Sequence, residues 1–276
     1  MPDSRPIGVF DSGVGGLSVL REIRHLLPGE DLLYFADSAH CPYGPRPPAE
    51  ITHLSHNVAA FLIDQGAKLI VVACNTASTA ALASLREGFA VPFVGMVPAV
   101  KPAATQTRSG KIGVLATEGT VAGGLYHDVV ERFADGIEVH TRVGHGLVEL
   151  VEAGDIDSPH ADAVVAEYVS PLVEAGVDTL VLGCTHYPFL IPSIQRVSGG
   201  QLTIVEPSAA VAAQTRRVLV ERDLLNPQPH GTTRYFTSGD RGKFEVVLRR
   251  LLRGEIGDQK LEIGQAGAGA KGRQQG

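Results

Sequence analysis

LIVVACNT (residues 69–76) and TLVLGCTH (residues 179–186) decide the fold. Each is a short run rich in Val, Leu and Ile that ends in a small residue, a cysteine and a hydroxyl- or amide-bearing residue. Unbroken apolar runs of this length are strands buried on both faces, as in a parallel sheet covered by helices. Cys74 and Cys184 stand 110 positions apart. IGVFDS (7–12) recurs as IGVLAT (112–117), an offset of 105. Any two α/β segments share a strand followed by small residues. Two matches at nearly one offset, with the cysteine at the same point in both, imply more than that: a duplicated α/β unit.

Working outward, apolar runs predict strands over Ile7–Phe10, Leu32–Ala36, Leu69–Ala73, Phe93–Met96, Ile112–Leu115, Ile137–Arg142, Thr179–Gly183 and Thr203–Val205. Helical patterns fall between them, over Gly16–His25, Ile51–Gln65, Thr76–Phe89, Leu125–Phe133, Ala161–Glu174 and Ala209–Arg222, with one more over Gly239–Leu252. The segment from Val97 to Gly110 holds two prolines and begins where one copy ends, so it is a crossing between domains. Glu206-Pro207-Ser208 can start a helix, with Pro near its N-terminus, that returns to the first domain. The expected architecture is α/β: two similar domains with mainly parallel sheets, related by a pseudo-twofold, with the active site in the cleft between them. The first domain takes residues 1–97 plus 208–263 and the second 98–207. From Gly264 the chain reads GQAGAGAKGRQQG, which has no periodicity and predicts a disordered tail over 264–276.

Composition narrows the function classes. With 44% hydrophobic and 20% charged residues the 276-residue chain is ordinary globular protein, which argues against wholesale disorder. A net charge of −6 gives no sign of a basic nucleic-acid-binding face. Three scattered cysteines make no disulfide framework, and no apolar run approaches the ~20 residues of a membrane span. A soluble cytoplasmic protein with no membrane partner, its thiols free for chemistry, is expected.

The two cysteines sit at strand carboxyl ends, where open α/β sheets place ligands. A helix N-terminus there is expected to lower a thiol pKa and to bind carboxylates. The alternative is a pair of buried structural cysteines. Two related halves facing each other would set one thiol on each side of a ligand. A pair of bases on opposite faces of a carbon is what inversion of a stereocentre requires: one thiolate takes the α-proton and the opposite thiol supplies another. Nearby, Asp11-Ser12 ends the first strand and Asp37-Ser38 the second, ahead of Cys41-Pro42-Tyr43-Gly44. Asp11 can hold an ammonium group, orient Cys74 or simply cap a helix. His186, two residues past Cys184, can act likewise there. GVGGLS (13–18) matches a dinucleotide loop only in part, since Ser18 stands where Gly or Ala belongs. Zinc on Cys74, Cys184 and His186 lacks any CxxC or HExxH spacing, and no metal is assigned.

FDSGVGGLS (10–18), YFADSAHCPYG (34–44), VVACNTAS (71–78) and LGCTHYPFL (182–190) resemble glutamate racemase of the aspartate/glutamate racemase superfamily. The resemblance implies a racemase without a cofactor that interconverts L- and D-glutamate and supplies D-glutamate for peptidoglycan. It implies Cys74 as the base for D-glutamate and Cys184 as the base for L-glutamate. It implies Asp11, Ser12, Tyr43, Gly44, Asn75, Thr76, Thr185 and His186 as substrate contacts, supported by Asp37, Thr117, Thr120 and Glu152. Where the family carries Cys-Pro ahead of its glutamate, this chain has Gly144-His145, and Glu149 is the other carboxylate of that segment. A homodimer and, as in some actinobacterial members, DNA gyrase are partners the resemblance adds.

Overall fold

The computed structural model describes residues 3–256 and 261–265. The chain opens with β1 (Ile7–Asp11), α1 (Leu17–Leu26), β2 (Leu32–Ala36), α2 (Pro48–Asp64), β3 (Leu69–Val72), α3 (Asn75–Gly88) and β4 (Phe93–Val94). Every position of β1, β2 and β3 is buried, which is why each reads as an unbroken apolar run. Next come α4 (Val100–Gln106), β5 (Lys111–Ala116), α5 (Glu118–Val121), α6 (Gly124–Phe133), β6 (Glu138–Val143), α7 (Leu147–Glu152) and α8 (Pro159–Glu174). β7 (Thr179–Gly183), a 3-10 turn over Tyr187–Leu190, α9 (Ile191–Val197) and β8 (Thr203–Val205) follow. Last are α10 (Ser208–Glu221), β9 (Thr233–Thr237), α11 (Arg241–Leu251), α12 (Arg253–Ile256) and β10 (Glu262–Gln265).

All strand pairs are parallel, in two sheets ordered β10-β9-β2-β1-β3-β4 and β6-β5-β7-β8. The order β2-β1-β3-β4 is thus repeated as β6-β5-β7-β8. Register repeats with it: Ile7 pairs with Leu69, and their counterparts Ile112 and Thr179 pair likewise. The protein is α/β, with two like parallel sheets. α10 packs against α1 and brings the chain back to the first sheet, where β9 and β10 extend it beyond β2.

Several elements differ from expectation. α2 starts at Pro48 rather than Ile51, because Pro is at home in the first turn and Glu50 favours the positive end of the helix. β4 stops at Val94. The Val97–Gly110 crossing contains the short helix α4. β9 and β10 had no counterpart among the expected strands. Gly264 and Gln265, expected in a disordered tail, pair with Phe236 and Thr237 in β10, because a sheet edge supplies backbone partners that need no apolar side chain. The rest of that expected tail, 266–276, lies outside the described residues. Among the described residues no helix is long and apolar enough to cross a membrane.

Candidate active site

Cys74 leaves β3 in extended conformation and caps α3, its Sγ accepting the N–H of Ala77 at 3.4 Å. Cys184 leaves β7 at the equivalent point but is followed by a single 3-10 turn rather than an α-helix. Both thiols line one small cavity. The first sheet brings to it Asp11, Ser12, Asn75 and Thr76 from strand ends, and Tyr43 and Gly44 from the β2–α2 loop. The second brings Thr117, Thr185 and His186. The free space at its centre is about that of one water molecule, so the cleft stands closed.

Three sequence-derived residues stand behind this lining. Asp37 accepts the Tyr43 hydroxyl at 2.6 Å and so fixes the ring. Thr120 lies 2.9 Å from Thr117 and 3.3 Å from Thr76, which are themselves 2.8 Å apart, closing a triangle of hydroxyls across the two sheets. Glu152 Oε1 is 2.7 Å from His186 Nε2. Glu149 faces a separate cavity beside Gly144 and His145, so of the two candidate carboxylates Glu152 reaches the histidine.

Asp11 is fully buried. Its carboxylate accepts the N–H groups of Ser12 and Gly16, both at 2.7 Å, and the Thr185 hydroxyl at 3.3 Å. Asp11 thus holds the loop ahead of α1 and touches the site, but it does not cap the helix, whose N-cap is Gly16 with no side-chain bond. Burial raises its pKa, against the pull of His186 and of hydrogen bonds from Cys74 and the backbone. For Cys74 the expectation of a lowered pKa fails. Burial and the neighbouring Asp11 push the thiol up, outweighing the Ala77 N–H at the helix N-terminus. Burial would lower His186, but hydrogen bonds to Cys184, Cys41 and Glu152 raise it well above its ordinary value. Glu152 is correspondingly held low by His186, against its own burial. The His186 ring thus stands between two partners, Glu152 at Nε2 and the Cys184 sulfur 3.7 Å from Nδ1.

The glycine loop serves close approach rather than phosphate. A Cβ at Gly15 would sit 2.2 Å from His186 Nδ1, and one at Gly13 1.8 Å from Glu152 Oε1. Asn75 is the one lining residue whose side-chain oxygen and nitrogen are both buried with no partner in the protein. A buried amide left unpaired costs free energy, so it points to a ligand that completes it.

A family model of Asp/Glu/hydantoin racemases matches residues 7–215. The chain belongs to the Asp/Glu/hydantoin racemase family. It is 53% identical to the glutamate racemase of Roseiflexus sp. (strain RS-1) over 90% of this chain and 92% of that one. The fold is similar to the crystal structure of a Bacillus anthracis glutamate racemase, with a TM-score of 0.85 and 34% identity over 96% and 98% of the two chains. It is also similar to the Francisella tularensis glutamate racemase in complex with D-glutamate, with a TM-score of 0.81 and 31% identity over 97% and 98%. The resemblance carried by the four motifs thus extends over nearly the whole chain.

Some residues near the site carried no usable signal in the sequence. Ser18, the misfit of the dinucleotide pattern, shares its hydroxyl between the carbonyls of Gly15 and Thr185 and ties the two sheets together. Val148 lines the cavity from α7, where it reads as one more apolar helix residue. Cys41 stands outside the lining but beside His186 and Glu152, its thiol pushed up to about 12, chiefly by burial. Among the described residues the group that could share a cation is Cys41, Glu152 and His186, rather than the Cys74, Cys184 and His186 set weighed from the sequence.

Proposed function

We propose that the protein interconverts L- and D-glutamate by a two-base proton transfer between Cys74 and Cys184, supplying D-glutamate for peptidoglycan. One observation carries this: two thiols from equivalent strand ends of a repeated architecture line the same cavity. With L-glutamate bound, the Cys184 thiolate takes the α-proton, and the C–H electrons remain on Cα. The Cys74 S–H bond then breaks, its proton forming the new C–H bond on the opposite face. The sulfurs exchange charge states, so each turnover leaves the site set for the reverse direction. Asp11 beside Cys74 and His186 beside Cys184 are the groups that restore the starting state.

The lining offers neutral donors for carboxylates in the free Asn75 amide and the Thr76 and Thr117 hydroxyls, while the Ser12 and Thr185 hydroxyls donate to Asp11 and would have to turn to reach a substrate. Among the described residues no lysine or arginine lines it, so they offer neither an amine for a Schiff base nor a guanidinium clamp. Asp11 supplies the negative charge that matches the α-ammonium group. The closed cleft has to widen for an amino acid to enter. We infer that it does so by motion of two units, residues 1–97 with 208–263 against 98–207. The test is circular dichroism of L-glutamate with purified, EDTA-dialysed protein in D₂O. Loss of optical activity, with deuterium at Cα of the product, is expected. Turnover that needs an added cofactor, or product without solvent deuterium, would overturn the two-base reading.

A further inference from the structure

We propose that Cys41, His186 and Glu152 form a binding site for a divalent cation of the zinc class that clamps the cleft shut. The ligating atoms, one thiol, one imidazole nitrogen and one carboxylate oxygen, lie within 4.8 Å of one another. Thiolate, imidazole and carboxylate together are a zinc donor set, with metal–ligand bonds of about 2.0–2.3 Å. Tetrahedral placement at such lengths separates neighbouring nitrogen and oxygen ligands by ~3.4 Å. His186 Nε2 and Glu152 Oε1 stand 2.7 Å apart, so a shift of under about 1 Å admits the ion. Gly13 leaves the floor of the cluster clear: a Cβ there would meet both Glu152 Oε1 and, at 3.0 Å, Cys41 Sγ. Outer partners already hold the ligands, since the Val14 N–H donates to Glu152 Oε1 at 2.7 Å and Nδ1 faces Cys184.

The bonding balances simply. The cation takes the place of the Cys41 thiol proton and of the proton between His186 and Glu152, and both protons go to solvent. The consequence follows from where the ligands stand in the fold. Cys41 belongs to the β2–α2 loop of the first sheet, whereas Glu152 ends α7 and His186 follows β7 of the second. A bound ion is therefore a cross-link between the sheets, and it detains the Glu152 partner of His186. The inhibitory half of the proposal rests on the racemase reading; the binding half does not.

Cobalt(II) is the probe, because a thiolate ligand gives it a near-ultraviolet charge-transfer band. Wild-type protein is expected to show that band at one equivalent. Cys41→Ser is expected to lose it, and the Cys74→Ser/Cys184→Ser double variant to keep it. In the racemisation assay zinc should inhibit the wild type, EDTA should reverse the inhibition, and in Cys41→Ser zinc inhibition, measured against that variant's own metal-free rate, should be weakened about 10–100-fold. A band that survives Cys41→Ser, or vanishes from the double variant, overturns the site. No turnover in metal-free wild type, with the cobalt bands as expected, would sink the racemase reading and leave the cation site standing.

Discussion

At the scale of single residues, the two thiols and the loop glycines make the sharpest claims. Cys74→Ser and Cys184→Ser are each expected to lower racemisation by about 10²–10⁴-fold, the usual worth of a positioned acid or base. Thermal unfolding should barely move, since serine fills the same space. Wild-type turnover in either variant, measured by circular dichroism, is the failing result. Gly15→Ala is expected to displace the His186 ring, because its new Cβ would fall 2.2 Å from Nδ1. Overpacking of this kind costs about 1–3 kcal/mol. A drop in kcat larger than any change in KM would mark lost positioning, and an unchanged kcat would show that the ring had room to give. The cysteines were legible because each ends an apolar run and because they recur at one offset. The choice of Glu152 over Glu149 was not. Three residues apart on a helix put the two carboxylates on the same side. What separates them is that Glu152 ends α7 beside the N–H of Val14, 138 positions away in the chain.

At the scale of elements, the fully buried strands were the plainest, though β6, with no buried position, was also read from its sequence. β3 and β7 are buried throughout and could be read from composition alone. β9 reads Thr-Arg-Tyr-Phe-Thr and buries only Tyr235 and Thr237, so its period is masked by an arginine and two threonines. β10 is shorter still, and Ile263 is its one buried residue. β9 is a strand because β2 offers it an open edge, and β10 because β9 then does the same, causes that lie outside their own sequences. The entry to β7 carries a separate test. Asp178 accepts the Thr107 and Thr179 hydroxyls at 2.6 and 2.9 Å and the N–H groups of Arg108 and Ser109 at 2.7 and 2.8 Å. Burial would raise this carboxyl, but those four hydrogen bonds together hold it far below the usual aspartate range. A depressed folded pKa contributes stability that is complete above the unfolded value of ~3.9 and is lost as pH falls below it. Asp178→Asn should therefore cost about 1–3 kcal/mol at pH 7, and the cost should begin to shrink near pH 3, where the unfolded carboxyl is protonated while the folded one still holds its charge. Equal losses at both pH values, by urea unfolding, would show that its charge is immaterial.

At the scale of the whole molecule, the first sheet has a chemical end and a structural end. Lys68, just before β3, buries its ammonium 2.7 Å from Glu30 and donates to the Asp3 carbonyl at 2.6 Å. Glu30 in turn accepts the N–H of Asn226 at 2.7 Å, so one ion pair joins four stretches of chain. Lys68→Met is expected to cost about 3–5 kcal/mol, because it strands a buried carboxylate. Adding Glu30→Gln should recover part of that loss. As the pair sits at the opposite end of β3 from Cys74, kcat/KM for glutamate should stay at the wild-type level in whatever fraction remains folded. The repeated strand order has a consequence of another kind. Two halves related by an approximate rotation are not mirror images, whereas the two enantiomers of glutamate are. The thiols accordingly have unlike company, Asp11 beside Cys74 and His186 beside Cys184. Rates and Michaelis constants for the two directions are therefore free to differ. Their ratios are not: enantiomers have equal free energies, so kcat/KM must be the same from either side. Any change a substitution makes in kcat/KM, however lopsided its place in the cleft, has to be the same factor in both directions.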